Sequence, residues 1–218
     1  IISGVGEPDT SGRSDLAMAM TPDYGDRLAI GNAIAAVVWD GADWCALGLQ
    51  AAIMVSRPRM AMAIVTSMMD DAKVADAGIH PSAIVDPLAE LGAGVAVAPL
   101  AVIGARARIG AGSAIASHVF IGADVVIGDN AMIHAGVRIQ SGTTIGDNFI
   151  AQPGAIIGGD GFSFVTPEVS GVEAARRTLG NQWDAPNQSW LRIHSLGGVD
   201  IGDNVEVGAN STIDRGTL

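Results

Sequence analysis

The stretch from Val102 to Ile133, VIGARARIGAGSAIASHVFIGADVVIGDNAMI, decides the fold, because Ile103, Ile109, Ile115, Ile121, Ile127 and Ile133 recur in it at every sixth position. Outward from there, the same row begins at Ile79, Val85, Leu91 and Val97 and runs on through Ile139 and Ile145. It skips at Ala151, returns at Ile157, and reappears two residues out of frame at Ile201, Val207 and Ile213. Residues 158–198 lack the period and read as an inserted loop. Four residues after each aliphatic position stand small or β-branched residues: Ala107, Ser113, Val119, Val125, Ala131, Val137 and Thr143. Two of every six positions therefore face inward.

A period of six fits neither the 3.6 of a helix nor the 2 of an ordinary hairpin sheet, but it fits a short flat strand followed by a sharp turn. Three such units close a triangle, and stacked triangles pair each strand in parallel with the one a coil above. Glycine directly follows the aliphatic residue at Gly92, Gly104, Gly110, Gly122, Gly128, Gly146, Gly158, Gly202 and Gly208, where the corner is expected to need unusual backbone angles. The repeated Gly-Asp-Asn at residues 128–130, 146–148 and 202–204 suits such corners, since Asp and Asn tolerate left-handed conformations.

The composition agrees: 49% apolar, only 4% aromatic, and 29 glycines among 218 residues. A net charge of −11 argues against a sequence-independent grip on nucleic acid. No run is long and apolar enough to span a membrane. The one cysteine, Cys45, can form no internal disulfide and suits a reducing compartment. The chain starts at Ile1 without Met and the repeat is still running at Leu218, so truncation at both ends, the coil's C-terminal end included, is the expectation.

Residues 1–75 lack the six-residue period and read as a small α/β domain. Strands are expected over Leu16–Met20, Ile34–Trp39 and Ala52–Val55, with a short helix after Thr21-Pro22 and another from Ser56 through Met69. In the second helix Met60, Ile64, Met68 and Met69 recur at helical spacing and read as core filler.

The repeat over Ile79–Ile157 and Val199–Leu218 resembles that of the hexapeptide-repeat transferases, whose coil is a left-handed parallel β-helix; the handedness comes from this resemblance and not from the period. The fold expected is thus mainly β: a left-handed parallel β-helix over residues 79–218, interrupted at 158–198, behind a small N-terminal α/β domain. Several stretches narrow the resemblance to the N-acyltransferases of UDP-3-O-(3-hydroxyacyl)glucosamine in lipid A synthesis. They are the stem opening Gly78-Ile79-His80-Pro81-Ser82-Ala83, the insertion opening Gly158-Gly159-Asp160-Gly161-Phe162, its closing Trp190 and Leu196-Gly197, and the run from Ile201 to Gly216 ending Ile213-Asp214-Arg215-Gly216. A bare repeat would not dictate that last tetrapeptide. The polar stretch around Glu173 to Ser189 makes the insertion longer than the family pattern.

The resemblance implies that the N-terminal domain binds the uridine end of the sugar nucleotide through residues 15–24, with Tyr24 as the stacking ring and Thr21 and Met18 as the other substrate contacts. Met18 and Thr21 stand where the family commonly has Phe and Asn. It further implies a cytoplasmic homotrimer that transfers a 3-hydroxyacyl group from acyl carrier protein to the 2-amine of UDP-3-O-acylglucosamine, with no metal or organic cofactor. The general base of that family is a His placed beyond Leu218, so no catalytic residue is expected within the chain. His80, His118, His134 and His194 show no metal-ligand spacing. Asp214 and Arg215 are expected to support a neighbouring subunit's site, and Arg106, Arg108, Arg138, Arg176, Arg177 and Arg192 are candidates for anionic partners. Two alternatives stay open: an acyltransferase for another nucleotide sugar, motivated by Met18 and Thr21, and a β-helix that only scaffolds or binds.

Overall fold

A computed structural model describes residues 1–71, 74–76, 78–177 and 187–218. Two compact units divide the chain, Ile1–Ala72 and Lys73–Leu218.

The first unit is a four-stranded parallel sheet in the order β1 (Gly4–Gly6), β2 (Asp15–Ala19), β3 (Ala35–Trp39), β4 (Ala51–Val55). The first of these strands is too short and glycine-rich to read from pattern. Parallel strands covered on both faces carry continuous apolar runs, as β2 and β3 do. Ala17, Ala19, Ala36 and Val38 pack on one face with Leu28, Ala42 and Leu49. Leu16, Met18, Met20, Ala35 and Val37 pack on the other with Val55, Ala61 and Val65. Helix α1 (Pro22–Gly25) and one turn of 3-10 helix (Asp26–Ala29) follow β2, and helix α2 (Pro58–Met69) follows β4. The face of α2 that meets the sheet is that of Ala61 and Val65. Met60, Ile64 and Met68, expected inside, are 53%, 51% and 79% exposed. A small residue at 61 lets the helix approach the sheet closely, which turns the long methionines outward.

In the second unit the six-residue rule becomes three parallel sheets. One stacks Ala96–Val97, Ala114–Ile115, Met132–Ile133, Ile150–Ala151 and Glu206–Val207. The second stacks Ile84–Val85, Val102–Ile103, Phe120–Ile121, Arg138–Ile139, Ile156–Gly159 and Thr212–Asp214. The third stacks Glu90–Leu91, Arg108–Ile109, Val126–Ile127, Thr143–Ile145 and Val199–Ile201. Registers such as Val97↔Ile115↔Ile133 and Ile103↔Ile121↔Ile139 set each aliphatic residue on the one a coil away. This is the parallel β-helix that the period implied. Inside, the small positions are as closed as the aliphatic ones: Ala107, Val119, Val125, Ala131 and Val137 are all at most 1% exposed. Two of them are polar and satisfied. Ser113 Oγ accepts from the amide of Ala131 at 3.1 Å, and Thr143 Oγ1 donates to the carbonyl of Gln140 at 2.8 Å.

The skip at Ala151 is a change of size and not a break in the coil. Ala151 and Phe149 are both fully buried in the same core cluster, a small residue at a normally aliphatic position two residues from a large ring at a normally small one.

The corners correct the expectation about glycine. Left-handed backbone recurs every sixth residue at Gly94, Leu100, Arg106, Gly112, His118, Asp124, Asn130, Gly136, Gly142, Asn148 and Gly154, three residues after the aliphatic position. The glycines directly after that position, such as Gly104 and Gly128, serve a different need. A Cβ on Gly104 would lie 2.7 Å from the amide nitrogen of Ala123 in the next coil, so these are sites of close approach between coils. At the Gly-Asp-Asn corners the carboxylates form a ladder. The amides of Ala111, Asp129 and Asp147 donate to Asp129, Asp147 and Asp203 at 2.7, 2.8 and 2.8 Å.

Partners in this ladder are 18 residues apart until the last, which is 56 residues away. That is two more than three full coils, which accounts for the two-residue frame shift. The extra length is the insertion, which contains an antiparallel pair, Phe164–Val165 with Leu191–Arg192, and a short helix, Gly171–Arg177. It is therefore ordered in part and not a plain loop. Of the polar stretch 173–189, residues 178–186 lie outside the described residues.

Two outcomes follow from the packing. Phe149→Ala should destabilise the coil by about 3–5 kcal/mol, and Phe149→Leu by clearly less, in chemical denaturation. The corner residues Arg106 and Asp124 form a bidentate exposed pair, 2.7 Å at each contact, and the Arg106 hydrogen bond holds the Asp124 carboxyl below its ordinary value of 3.8. A folded pKa below the unfolded one adds stability that is present above 3.8 and lost as pH falls through the folded value. The Tm difference between the parent and Arg106→Gln should thus be small near neutrality and close as pH falls below 3.8.

Candidate functional site

In the first unit the turn that leaves β2 carries the residues assigned to the nucleotide. Thr21 precedes α1 in extended conformation and Pro22 opens the helix, a position where its missing N–H costs nothing. This puts Thr21 and Tyr24 on one exposed turn, Tyr24 at 40% exposure. Met18 does not share that surface. At 9% exposure it belongs to the core on the α2 side of the sheet.

Sequence reasoning missed what organises this turn. The Arg27 guanidinium lies over the Tyr24 ring, 5.1 Å from its centroid, so one ring face is already taken by a cation. Arg27 is fixed by two carboxylates, Asp9 at 2.5 Å and Glu7 at 3.7 Å. Its hydrogen bond to Asp9 draws that carboxyl below its usual range. The other Asp9 oxygen, Oδ1, is buried and has no hydrogen-bond partner among the described residues. The turn thus presents an exposed ring backed by a cation that two carboxylates hold in place. No local motif connects residues 7, 9, 24 and 27, which meet only through the sheet.

In the second unit the four histidines are not brought together. His80 and His134 occupy one column of the coil but three coils apart, which is about 14 Å at the usual strand spacing, with Ala98 and Ala116 between them. His118 sits at a left-handed corner, and His194 lies exposed near the end of the insertion. The His80 ring, through Nδ1, meets Ser82 Oγ at 2.9 Å within the stem turn. Among the described residues no group of three His, Cys, Asp or Glu side chains is placed to hold a metal ion.

The candidate arginines separate. Arg106 is engaged with Asp124, and Arg138 donates to the carbonyl of Gly136 at 3.3 Å. Arg192 contacts Asp160 at 3.4 Å and lies over the Phe164 ring, 5.4 Å from its centroid. Phe162 and Phe164 stand 5.0 Å apart with rings tilted by 56°, and with Trp190 they line an apolar recess of about 370 Å³ on the insertion. Arg108, Arg176 and Arg177 are exposed.

The outward positions of the three coil faces differ. The first bears Ala96, Ala114, Met132 and Ile150 before Glu206, and the second Ile84, Val102, Phe120 and Ile156 around Arg138, with Thr212 last. The third bears Glu90, Arg108, Val126, Thr144 and Asp200. Two faces are largely apolar and one is largely polar. Among the described residues no helix is long and apolar enough to cross a membrane.

No family model matches the chain. A curated UDP-3-O-acylglucosamine N-acyltransferase of Ruegeria pomeroyi is 63% identical over the whole chain, which covers 60% of that protein. One of the same name from Paracoccus denitrificans is 58% identical over the whole chain, which covers 59% of it. A crystal structure of a perosamine N-acetyltransferase from Caulobacter crescentus, 18% identical, covers 98% of this chain and 88% of its own with a TM-score of 0.31, a superposition too loose to carry an argument. Over its full length the chain is thus a homologue of the UDP-3-O-acylglucosamine N-acyltransferases, spanning about three fifths of the length of the curated relatives it matches.

Proposed function

We propose that this chain is the sugar-nucleotide-binding and coil-forming part of an N-acyltransferase of lipid A synthesis. The observation that carries the reading is the 63% identity, from one end of the chain to the other, with a protein named for that activity. The reaction proposed is attack of the 2-amine of UDP-3-O-acylglucosamine on a 3-hydroxyacyl thioester of acyl carrier protein. A C–N bond forms, the C–S bond breaks, the amine proton passes to a general base and the carrier thiol leaves. No histidine of this chain is assigned that base.

Tyr24 is the proposed contact to the uracil ring, stacking with the face that Arg27 leaves free. Thr21 lies beside it on the same turn, and Met18 acts through packing beneath the strand and not by contact. The two apolar coil faces suit a homotrimer in which each coil packs against two neighbours, leaving the polar third face outward. Acyl carrier protein as donor and the cytoplasm as location belong to the same reading.

The test is acyl transfer by the complete gene product that carries this chain, from 3-hydroxyacyl-acyl carrier protein to UDP-3-O-acylglucosamine. Turnover is expected, and its absence with both substrates present would overturn the reading. For the chain itself, calorimetric titration with UDP-3-O-acylglucosamine should show Tyr24→Ala weakening binding by about 1–3 kcal/mol, the usual worth of a base on a ring, and Tyr24→Phe nearly neutral.

A further inference from the structure

The tetrapeptide that the repeat does not explain, Ile213-Asp214-Arg215-Gly216, lies where the two ends of the insertion meet the coil. The insertion leaves the coil after the strand Ile156–Gly159 and returns before Val199–Ile201. The backbone just after the strand Thr212–Asp214 touches both ends. The amide of Arg215 donates to the carbonyl of Gly159 at 2.8 Å. On the returning side, the amides of Leu196 and Gly197 donate to the carbonyls of Thr217 and Gly216 at 3.0 and 2.9 Å. The Arg215 guanidinium adds a third tie: Nε donates to the carbonyl of Gly158 at 2.8 Å and Nη2 to that of Ser141 at 2.5 Å, one coil earlier. Gly158 has φ +80°, and a Cβ there would lie 2.9 Å from Thr143 Oγ1, so the departing end is already confined to glycine geometry.

We infer that residues 214–217 form a clasp that closes both ends of the insertion onto the coil, with Arg215 as its positioning residue. The departing end is held through Arg215, by its amide and its side chain, and the returning end through the backbone of Gly216 and Thr217. The clasp fixes the base of the antiparallel pair that carries Phe164 and is flanked by Phe162 and Trp190, so the aromatic recess is presented at one place on the coil. A neutral or shorter side chain at 215 leaves the carbonyls of Gly158 and Ser141 without their donor.

The experiment is hydrogen exchange with peptide resolution on the whole chain and three variants. Arg215→Ala should raise exchange at least tenfold in peptides covering residues 158–165 while peptides across residues 102–139 keep parental rates. Gly197→Ala, whose new Cβ would lie 2.8 Å from the carbonyl oxygen of Gly216, should loosen residues 190–198 and leave 158–161 protected. Arg215→Lys, which retains a cation with fewer directed donors, should fall between parent and Arg215→Ala. Parental exchange at residues 158–165 in Arg215→Ala would overturn the clasp. So would equal loosening of the coil and the insertion in Arg215→Lys, since that would make Arg215 a general stabiliser of the coil.

Discussion

The structure depends on one constraint: each coil of the second unit hydrogen-bonds, strand on strand, to the coil before it, 18 residues earlier everywhere except across the insertion. That pairing forces the inward side chains into columns, so a side chain's neighbours are its own equivalents above and below. It also brings successive corners close together, so the position after the aliphatic residue is often glycine, as at Gly104 and Gly128, and the backbone three residues on is left-handed. Since neither end of a coil closes by itself, burial is shared between neighbouring coils, as in other solenoids. An insertion is tolerated where it leaves and re-enters at a corner, and the carboxylate ladder passing from Asp147 to Asp203 shows the stack resuming unbroken across it.

This constraint was legible because covalent spacing translates directly into position: an Ile at every sixth residue admits few geometries. What could not be read was why a given residue stands at a corner. Glycine can be required for backbone angle or for space, and the letter is the same in both cases. The structure assigns Gly92, Gly104, Gly110, Gly122, Gly128 and Gly146 to space and Gly158 to a left-handed backbone angle, and gives many of the left-handed positions to Asn, Asp, His, Arg and Leu. The Ala151 skip looked like a break only because the large Phe149 belongs to the other inward column. In α2, methionine spacing suggested a buried face, whereas the small Ala61 with Val65 determined it.

The candidate site was legible in part, and the division has a physical reason. Tyr24 and Thr21 lie within a few residues of each other, so a local stretch could single them out. The Arg27 contacts to Tyr24, Asp9 and Glu7 and the Arg215 contact to Ser141 join residues that only the folded chain brings together. The same holds for the outer faces of the coil, whose chemistry appears only when every eighteenth residue is set in line. Two units of different kinds thus divide the labour: a parallel sheet presents a ring on a short turn, and a coil supplies flat faces and a clasped, aromatic-bearing insertion.

The most direct test of the coil account is the thermal unfolding, followed by circular dichroism, of a chain in which residues 103–120 are duplicated in tandem. Those 18 residues make one complete coil whose ends match the stack on both sides, so the account predicts a cooperatively folded protein with unchanged β signature and a Tm no lower than the parent's. Loss of cooperative unfolding, or a clearly lower Tm, would contradict the claim that coil-on-coil pairing with this exact repeat length holds the structure together.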